Sequence, residues 1–326
     1  MKAKGSFVGA LVLLVMAICW GSTFFSTKSV LNRLPVTDYL TIRFDLAALV
    51  LIAIAPKSLR MPRKVAIRAV IIGLVFAVAQ MAQMFGLPLV SASVSGFITG
   101  LYVVVTPLLG AIMFKTRPKP VVWVAVFMAT IGLGVLSIQW HGGLRLGLGE
   151  WLTLISAVLW GVQITLIGHW VRPENVMSLT LVQTIVAAVI FSAAGFRDGL
   201  TLPSTPSDWA WMLYFAIIVG AVTEVAQFWA QVRVQAALAA VLMCTEPLWA
   251  TVFAVLFGGE SLTPRLLVGG GTMMVAMVVS IWASGPSGDL PADQSVATMT
   301  GVLPAANVVP EGTSAETSAS PMGPNS

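Results

Sequence analysis

Several carboxylates lie in apolar segments of this chain, where a charged side chain is costly. Glu246 comes about eleven residues after the start of an apolar run, which places it near the middle of a membrane-spanning helix. An acidic residue at that depth costs roughly 2.5–3.5 kcal/mol on insertion scales, so it is expected to face a cavity or a partner. Glu246 is therefore predicted to bind a cationic group or carry a proton. The alternative is a structural hydrogen bond beside Pro247.

Polar residues form two short stripes in two other apolar segments. Glu224 and Gln227 are spaced i, i+3, and Gln80 and Gln83 have the same spacing. Residues three apart lie on the same face of a helix. The matching stripes predict a polar wall on each side of a central cavity, and hydrogen bonds between helices, worth roughly 0.6–2 kcal/mol each, are the alternative.

A cation also falls within an apolar segment. Arg43 and Asp45 are two residues apart, so they do not face each other on a helix. Arg43 is therefore expected to pair with another helix or with lipid headgroups by snorkelling. The other interpretation is recognition of a substrate carboxylate, for which a guanidinium is well shaped.

Aromatic rings and prolines complete the set of candidate site residues. Trp20, Trp160 and Tyr102 are amphipathic rings that would line a pocket or pack in the core, and Gln163 follows Trp160 at i+3. Pro107 and Pro247 are predicted to kink their helices.

Each proline removes a backbone donor, which frees the carbonyls of Val103 and Met243. Those carbonyls need partners in lipid. Kinked helices at matching positions point to a binding site, although a kink used only for packing is equally compatible with the sequence.

The elements that hold these residues are predicted to be membrane helices. Hydrophobic residues make up 57% of the 326 residues and charged residues only 10%, against roughly 25% charged in a soluble domain. A spanning helix needs about 20 mostly apolar residues. Ten segments qualify: 6–25, 38–55, 66–87, 92–114, 120–139, 149–169, 176–195, 208–231, 235–257 and 263–283.

Short motifs of the first half recur in the second half at one constant offset, which predicts an internal duplication. The pairs are Trp20-Gly21 and Trp160-Gly161, Gly96 with Gly100 and Ala236 with Ala240, and Pro107 and Pro247. Two five-helix repeats, 1–139 and 149–283, follow. Because five is odd, the second repeat is inserted upside down relative to the first. The Pro-, Ser- and Gly-rich tail, 284–326, is predicted to be disordered.

The distribution of charge predicts the orientation and excludes several classes of protein. Most of the 18 Lys and Arg residues fall in loops on one side, which places both termini in the cytoplasm. The sequence has no basic patch with interleaved aromatic residues for nucleic acid, no metal-ligand cluster, and no phosphate loop or other cofactor motif.

At these residues the chain resembles the EamA-type exporters of the drug/metabolite transporter superfamily. The resemblance rests on the Trp-Gly pair in the first helix of each half and on the ninth segment. That segment reads Ala236-Ala237-x-Ala239-Ala240, then Glu246-Pro247, then Phe257-Gly258-Gly259-Glu260. The first half departs from the pattern, since Phe114-Lys115-Thr116-Arg117 stands where Gly-Glu is expected.

The resemblance implies a secondary transporter of the cell membrane, plasma or inner. It would export amino acids, metabolites or drugs by alternating access, with protons as a coupling ion and with a cavity lined by the first four helices of each half. The protein would act in the lipid bilayer as a monomer or a homodimer, without a cofactor. A channel or lipid-moving protein of the same fold is the first alternative, and a membrane-embedded enzyme is the second.

Overall fold

The structure is a computed structural model that describes residues 2–113, 119–139, 143–144, 146–197, 199–233 and 242–284. The first half of the chain forms α1 to α6, namely Lys2–Leu31, Val36–Ile54, Arg63–Gly86, Ala92–Gly100, Tyr102–Met113 and Pro120–Ser137. The second half forms α7 to α12, namely Leu148–Trp170, Val176–Gly195, Pro206–Leu213, Thr223–Gln231, Glu246–Leu256 and Pro264–Ser284.

Each of the ten predicted segments contains helix in the described part of the chain, and the fourth segment is divided between α4 and α5. Seven helical stretches are long and apolar enough to cross a membrane. Helix α2 carries three charged residues in 19, and the stretches Pro120–Leu136 and Glu246–Leu256 are apolar but shorter. The described chain is thus almost entirely helical and has the character of a multi-pass membrane protein.

Short elements depart from the predicted helices. Ile138–Gln139 and Gly143–Leu144 form a two-residue antiparallel hairpin, so the fifth predicted segment ends as a strand. Tyr214–Val222, between α9 and α10, is π-helical. The predicted tail, 284–326, and the small residues Ala236 and Ala240 lie outside the described side chains.

The two prolines differ in their positions, which corrects one prediction. Pro107 lies inside α5, as expected. Pro247 is not in a helix interior, because α11 begins at Glu246 and Pro247 lies in its first turn. The first turn of a helix tolerates proline because its N–H groups have no partner within the helix. The interruption falls at Cys244–Thr245, just before the proline.

Most helix contacts between the two halves have a counterpart, in which the equivalent helices of the opposite halves pack on each other. Helix α3 packs on α7 as α1 packs on α10, and α3 packs on α8 as α2 packs on the π-helical segment. Helix α1 packs on α11 as α7 packs on α5 and α4. Two contacts join equivalent helices directly, α2 with α8 and α6 with α12, and a third, α4 with α11, joins the fourth and ninth predicted segments, which are equivalent as wholes. The packing is therefore related between the halves, as the sequence repeat is.

Glycines allow the closest of these contacts. A Cβ added to Gly21 would lie 2.5 Å from the Cβ of Trp249 and 2.8 Å from the backbone nitrogen of Ala250. A Cβ added to Gly96 would lie 2.6 Å from the Cβ of Ala250. Helices α1 and α4 therefore approach the backbone of α11 from two sides. The small-residue face at Gly96 serves packing, as small residues at helix contacts usually do.

The apolar interior consists mainly of two large clusters. One is built largely on α4, α5, α6 and α12, and the other on α2, α3, α8 and the π-helical segment. Trp20 and Trp160 pack against both clusters. The repeated tryptophans thus lie between the two apolar clusters, where they border the site described next.

Candidate functional site

A cavity with a volume of about 60 Å³, counted as the space open to the centre of a water molecule, lies in the interior of the helical bundle. Both halves line it, through helices α1 to α5 and through α7, the π-helical segment, α10 and α11. The lining residues are Trp20, Thr23, Phe24, Arg43, Gln80, Gln83, Met84, Thr99, Tyr102, Trp160, Ile164, Val219, Glu224, Gln227 and Glu246. All candidate residues from the sequence except Gln163 and the two prolines are in this set.

Both predicted carboxylates are buried and held by one described donor each. Glu246, with 5% of its surface exposed, accepts a hydrogen bond of 3.3 Å from the hydroxyl of Tyr102. Glu224, also 5% exposed, accepts one of 2.9 Å from the amide of Gln183. A buried carboxylate is acceptable only when it is hydrogen-bonded, neutralised or paired with a ligand.

Gln163 does not line the cavity, although Trp160 on the same helix does. Its amide nitrogen donates to the side-chain oxygen of Gln183 at 3.0 Å, and Gln183 in turn donates to Glu224. The expectation that Gln163 shares the pocket face of Trp160 is therefore wrong. Gln163 is linked to Glu224 through Gln183 and does not itself reach the cavity.

Arg43 points into the protein rather than to the membrane surface. Only 5% of its surface is exposed, so it does not snorkel. Its Nη1 donates to the hydroxyl of Tyr39 at 3.0 Å, and its guanidinium carbon lies 5.0 Å from the centre of the Phe44 ring. Asp45 faces elsewhere and accepts a hydrogen bond from Ser192. Arg43 thus brings a cation to the cavity wall.

The two repeated tryptophans have different hydrogen-bond environments. The indole nitrogen of Trp20 donates to Thr223 at 2.8 Å. The indole nitrogen of Trp160 is buried and has no acceptor among the described residues. The ring of Trp160 packs edge-on against Phe76, with centroids 5.3 Å apart.

The carbonyls predicted to lose their helical partners both receive side-chain donors. The hydroxyl of Ser280 donates to the carbonyl of Val103 at 3.3 Å. The hydroxyl of Tyr102 donates to the carbonyl of Met243, also at 3.3 Å. The single O–H of Tyr102 is therefore shared between two acceptors, the carbonyl of Met243 and the carboxylate of Glu246. This contact joins α5 of the first half to the broken ninth segment of the second.

Polar contacts also join the two halves at the end of the bundle where α1 terminates. The carboxylate of Glu260 accepts hydrogen bonds from the backbone nitrogens of Ala92 and Ser93 and, at 2.6 Å, from the hydroxyl of Ser93. These donors form the first turn of α4, where an anion is favoured. An ion pair between Arg33 and Asp208 lies at the same end.

Several residues of the site were not singled out from the sequence. Gln183 and Thr223 hold Glu224 and Trp20, and Thr23, Phe24, Met84, Thr99, Ile164 and Val219 line the cavity. Small hydroxyl and apolar residues are too common in membrane helices to stand out. Gln183 had a usable signal, because it occupies the position of the second half that is equivalent to Arg43 in the first.

Fold and site together define a multi-helix membrane protein that encloses a polar cavity between two related halves. The sequence profile of the EamA-like transporter family matches residues 7–138 and 147–282, once for each half. The chain therefore belongs to the EamA-like transporter family. It is a membrane transporter, and small molecules are its expected cargo.

Two further similarities agree with this assignment. A protein of Archaeoglobus fulgidus, described as an uncharacterized transporter, is 26% identical over 274 residues, which cover 82% of this chain and 83% of the relative. A crystal structure of a protein that is 18% identical has a TM-score of 0.59 and covers 86% of this chain and 97% of its own. At that identity the structural match concerns the fold alone.

Proposed function

We propose that this protein is a secondary transporter that moves small organic molecules with polar groups by alternating access. The observation that carries the proposal is the cavity itself, which both halves line and which contains buried carboxylates from α10 and α11. A binding site between two related halves becomes accessible from either side when one half rocks against the other.

The architecture that we propose is ten helices in two inverted repeats, 1–139 and 149–283. The exchange of packing pairs between the halves supports it, as does an odd number of helices in each repeat. The distribution of basic residues supports termini in the cytoplasm of a cell with the protein in its plasma or inner membrane. Transport outward from the cytoplasm is part of the proposal.

Glu246 is the residue that we propose to couple transport to protons. Its carboxylate is buried at the cavity wall, and Tyr102 is its described donor. A single neutral donor leaves most of the acceptor capacity of a carboxylate unused. A proton or a cationic group of the substrate would fill that capacity, so the two would compete for Glu246.

A counterflow experiment in proteoliposomes tests both parts of the proposal. Vesicles are loaded with a mixed pool of amino acids, nucleosides and cationic drugs, and exchange of labelled compounds is followed with and without a pH gradient. We expect saturable exchange of one class of compound, accelerated by the gradient. Flux that does not saturate would indicate a channel and contradict the proposal.

The variant Glu246→Gln separates coupling from binding. It preserves the shape of the side chain and removes its titration, so counterflow is expected to become insensitive to the gradient. Glu174→Gln, in an exposed loop, is the matched control and should keep the gradient effect. An E246Q protein with unchanged rate and unchanged response to the gradient would remove Glu246 from the mechanism.

A further inference from the structure

Two buried donors of the cavity wall have no acceptor in the described part of the protein. They are Nε of Arg43 and the indole nitrogen of Trp160. Both residues line the same cavity, Arg43 from α2 and Trp160 from α7. Buried polar groups in native proteins are nearly always hydrogen-bonded, so an orphaned pair in one cavity calls for a partner from outside the chain.

The charge of Arg43 strengthens this argument. Its guanidinium is buried, donates from Nη1 only to the neutral hydroxyl of Tyr39, and makes no ion pair with a described carboxylate, Glu224 of the same cavity included. An arginine stays protonated inside a protein. Glu224 lies within electrostatic range of this cation but does not contact it, so the guanidinium can still bond directly to an anionic partner.

The repeat shows why Trp160 lacks a partner while Trp20 has one. Trp20 donates to Thr223, and the residue of the first half that is equivalent to Thr223 is Gln83. Gln83 instead donates its amide to Thr99, at 3.2 Å. The amide nitrogen of the equivalent residue is thus bonded to another helix, and its side-chain oxygen does not accept from Trp160.

We infer that Arg43 and Trp160 form a subsite for a carboxylate group of the transported molecule. The inference rests on the proposed function, because it names a chemical class of substrate for the same cavity. A carboxylate is planar and accepts several hydrogen bonds, which suits a guanidinium Nε together with a second N–H donor. Phe44 contacts Arg43, Phe76 contacts Trp160, and the two ring centroids are 5.4 Å apart, so the surroundings of the two donors are apolar, which strengthens such bonds.

Isosteric pairs of compounds test the subsite. The probes are 3-phenylpropionate and 3-phenylpropionamide, phenylalanine and phenylalaninamide, and leucine and leucinamide, which differ only in carboxylate against carboxamide. Affinity is measured in detergent from the ligand-dependent rise in unfolding temperature, and transport from competition in counterflow. The wild-type protein is expected to prefer the carboxylate of at least one pair by about tenfold or more, since the bond is charge-assisted.

Three variants locate the preference. Arg43→Gln should abolish it, and Arg43→Lys should restore only part of it because the planar fork is lost. Trp160→Phe keeps the ring and removes one neutral donor, so the preference should fall by about 2- to 10-fold. Trp151→Phe is the matched control: it lies on the same helix as Trp160, is half-exposed and does not line the cavity, so the ratio between carboxylate and carboxamide should not change.

The outcomes separate this inference from the proposed function. Equal affinity of the wild-type protein for both members of every pair would overturn the subsite, even if the protein transports them. No binding of any carboxylate at 10 mM would overturn it as well. Carboxylate binding that depends on Arg43 or Trp160, without any counterflow, would support the subsite and contradict the proposed function. If the Arg43 variants do not fold, the contrast between Trp160→Phe and Trp151→Phe decides.

Discussion

Trp20 and Trp160 occupy equivalent positions in the two halves, and both line the cavity, yet only Trp20 has an acceptor for its indole N–H among the described residues. The same divergence appears at other equivalent positions of the repeat. Met84 and Glu224 both line the cavity, one apolar and one acidic. The first half supplies the cation to the wall, and the second supplies both carboxylates.

The difference shows what the duplication preserves. Gly21 and Gly161 are identical at helix contacts, and Trp20 and Trp160 are identical at the cavity, whereas the other positions of the cavity wall differ between the halves. Close packing tolerates few side chains at a contact. The residue types at the wall of a cavity are limited mainly by the molecule that the cavity binds. Comparing equivalent positions therefore separates residues that build the scaffold from residues that perform its chemistry.

The largest effect is expected at the repeated glycines. Gly21→Ala places a Cβ 2.5 Å from that of Trp249 and 2.8 Å from a backbone nitrogen, whereas at Gly161 the nearest atom is the end of the Leu109 side chain, at 3.2 Å. Overpacking should destabilise the first variant by about 1–3 kcal/mol. Gly161→Ala should be neutral or stabilising, because alanine favours helix by roughly 1 kcal/mol. Unfolding temperatures in one detergent measure both, and equal shifts would contradict the comparison.

An intermediate effect is expected where the two carboxylates are held. Gln183→Leu removes the 2.9 Å donor of Glu224, and Tyr102→Phe removes the 3.3 Å donor of Glu246. The shorter bond belongs to an amide that Gln163 also fixes. Gln183→Leu should therefore slow counterflow by about tenfold and Tyr102→Phe by about threefold. Gln183→Asn controls for loss of volume, and the reverse order of the two effects would argue against the supporting role of Gln163.

The smallest effect is expected at the end of the bundle where the halves differ in charge. Glu260 caps α4, whereas the first-half loop carries Lys115 and Arg117 in its place. Glu260→Ala should destabilise the protein by about 1 kcal/mol, as loss of a helix cap does. Hydrogen exchange should accelerate at the amides of Ala92 and Ser93 and not elsewhere. Unchanged exchange at those amides would show that the cap does not hold α4.

Much of the fold follows from the apolar segments and the repeat. Each of the ten predicted segments contains helix because the bilayer requires internally bonded backbone, and seven helical stretches are long and apolar enough to span it. The π-helical stretch Tyr214–Val222 was not predicted, since apolar residues are compatible with either helical geometry. The position of Pro247 was also missed. Proline indicates an interruption but does not say on which side of it the helix breaks.

The residues of the cavity wall were predictable from the sequence where a charged side chain occurs within an apolar segment. Glu224, Glu246 and Arg43 stand out because charges in lipid are costly, and all three reach the wall. Gln163 was misplaced because residues at i and i+3 share a face only approximately, and the partner Gln183 lies on another helix. Pairings between helices depend on tertiary contacts that no local pattern contains.

The equivalence of Arg43 and Gln183 has a consequence for how such proteins diversify. After a gene is duplicated and fused, each position of the cavity exists twice, once per half. One copy can mutate while the other continues its task. Here Arg43 contacts the cavity directly, and Gln183 donates a hydrogen bond to Glu224. Evolution can therefore change the cargo one wall at a time, without rebuilding the helix contacts on which folding depends.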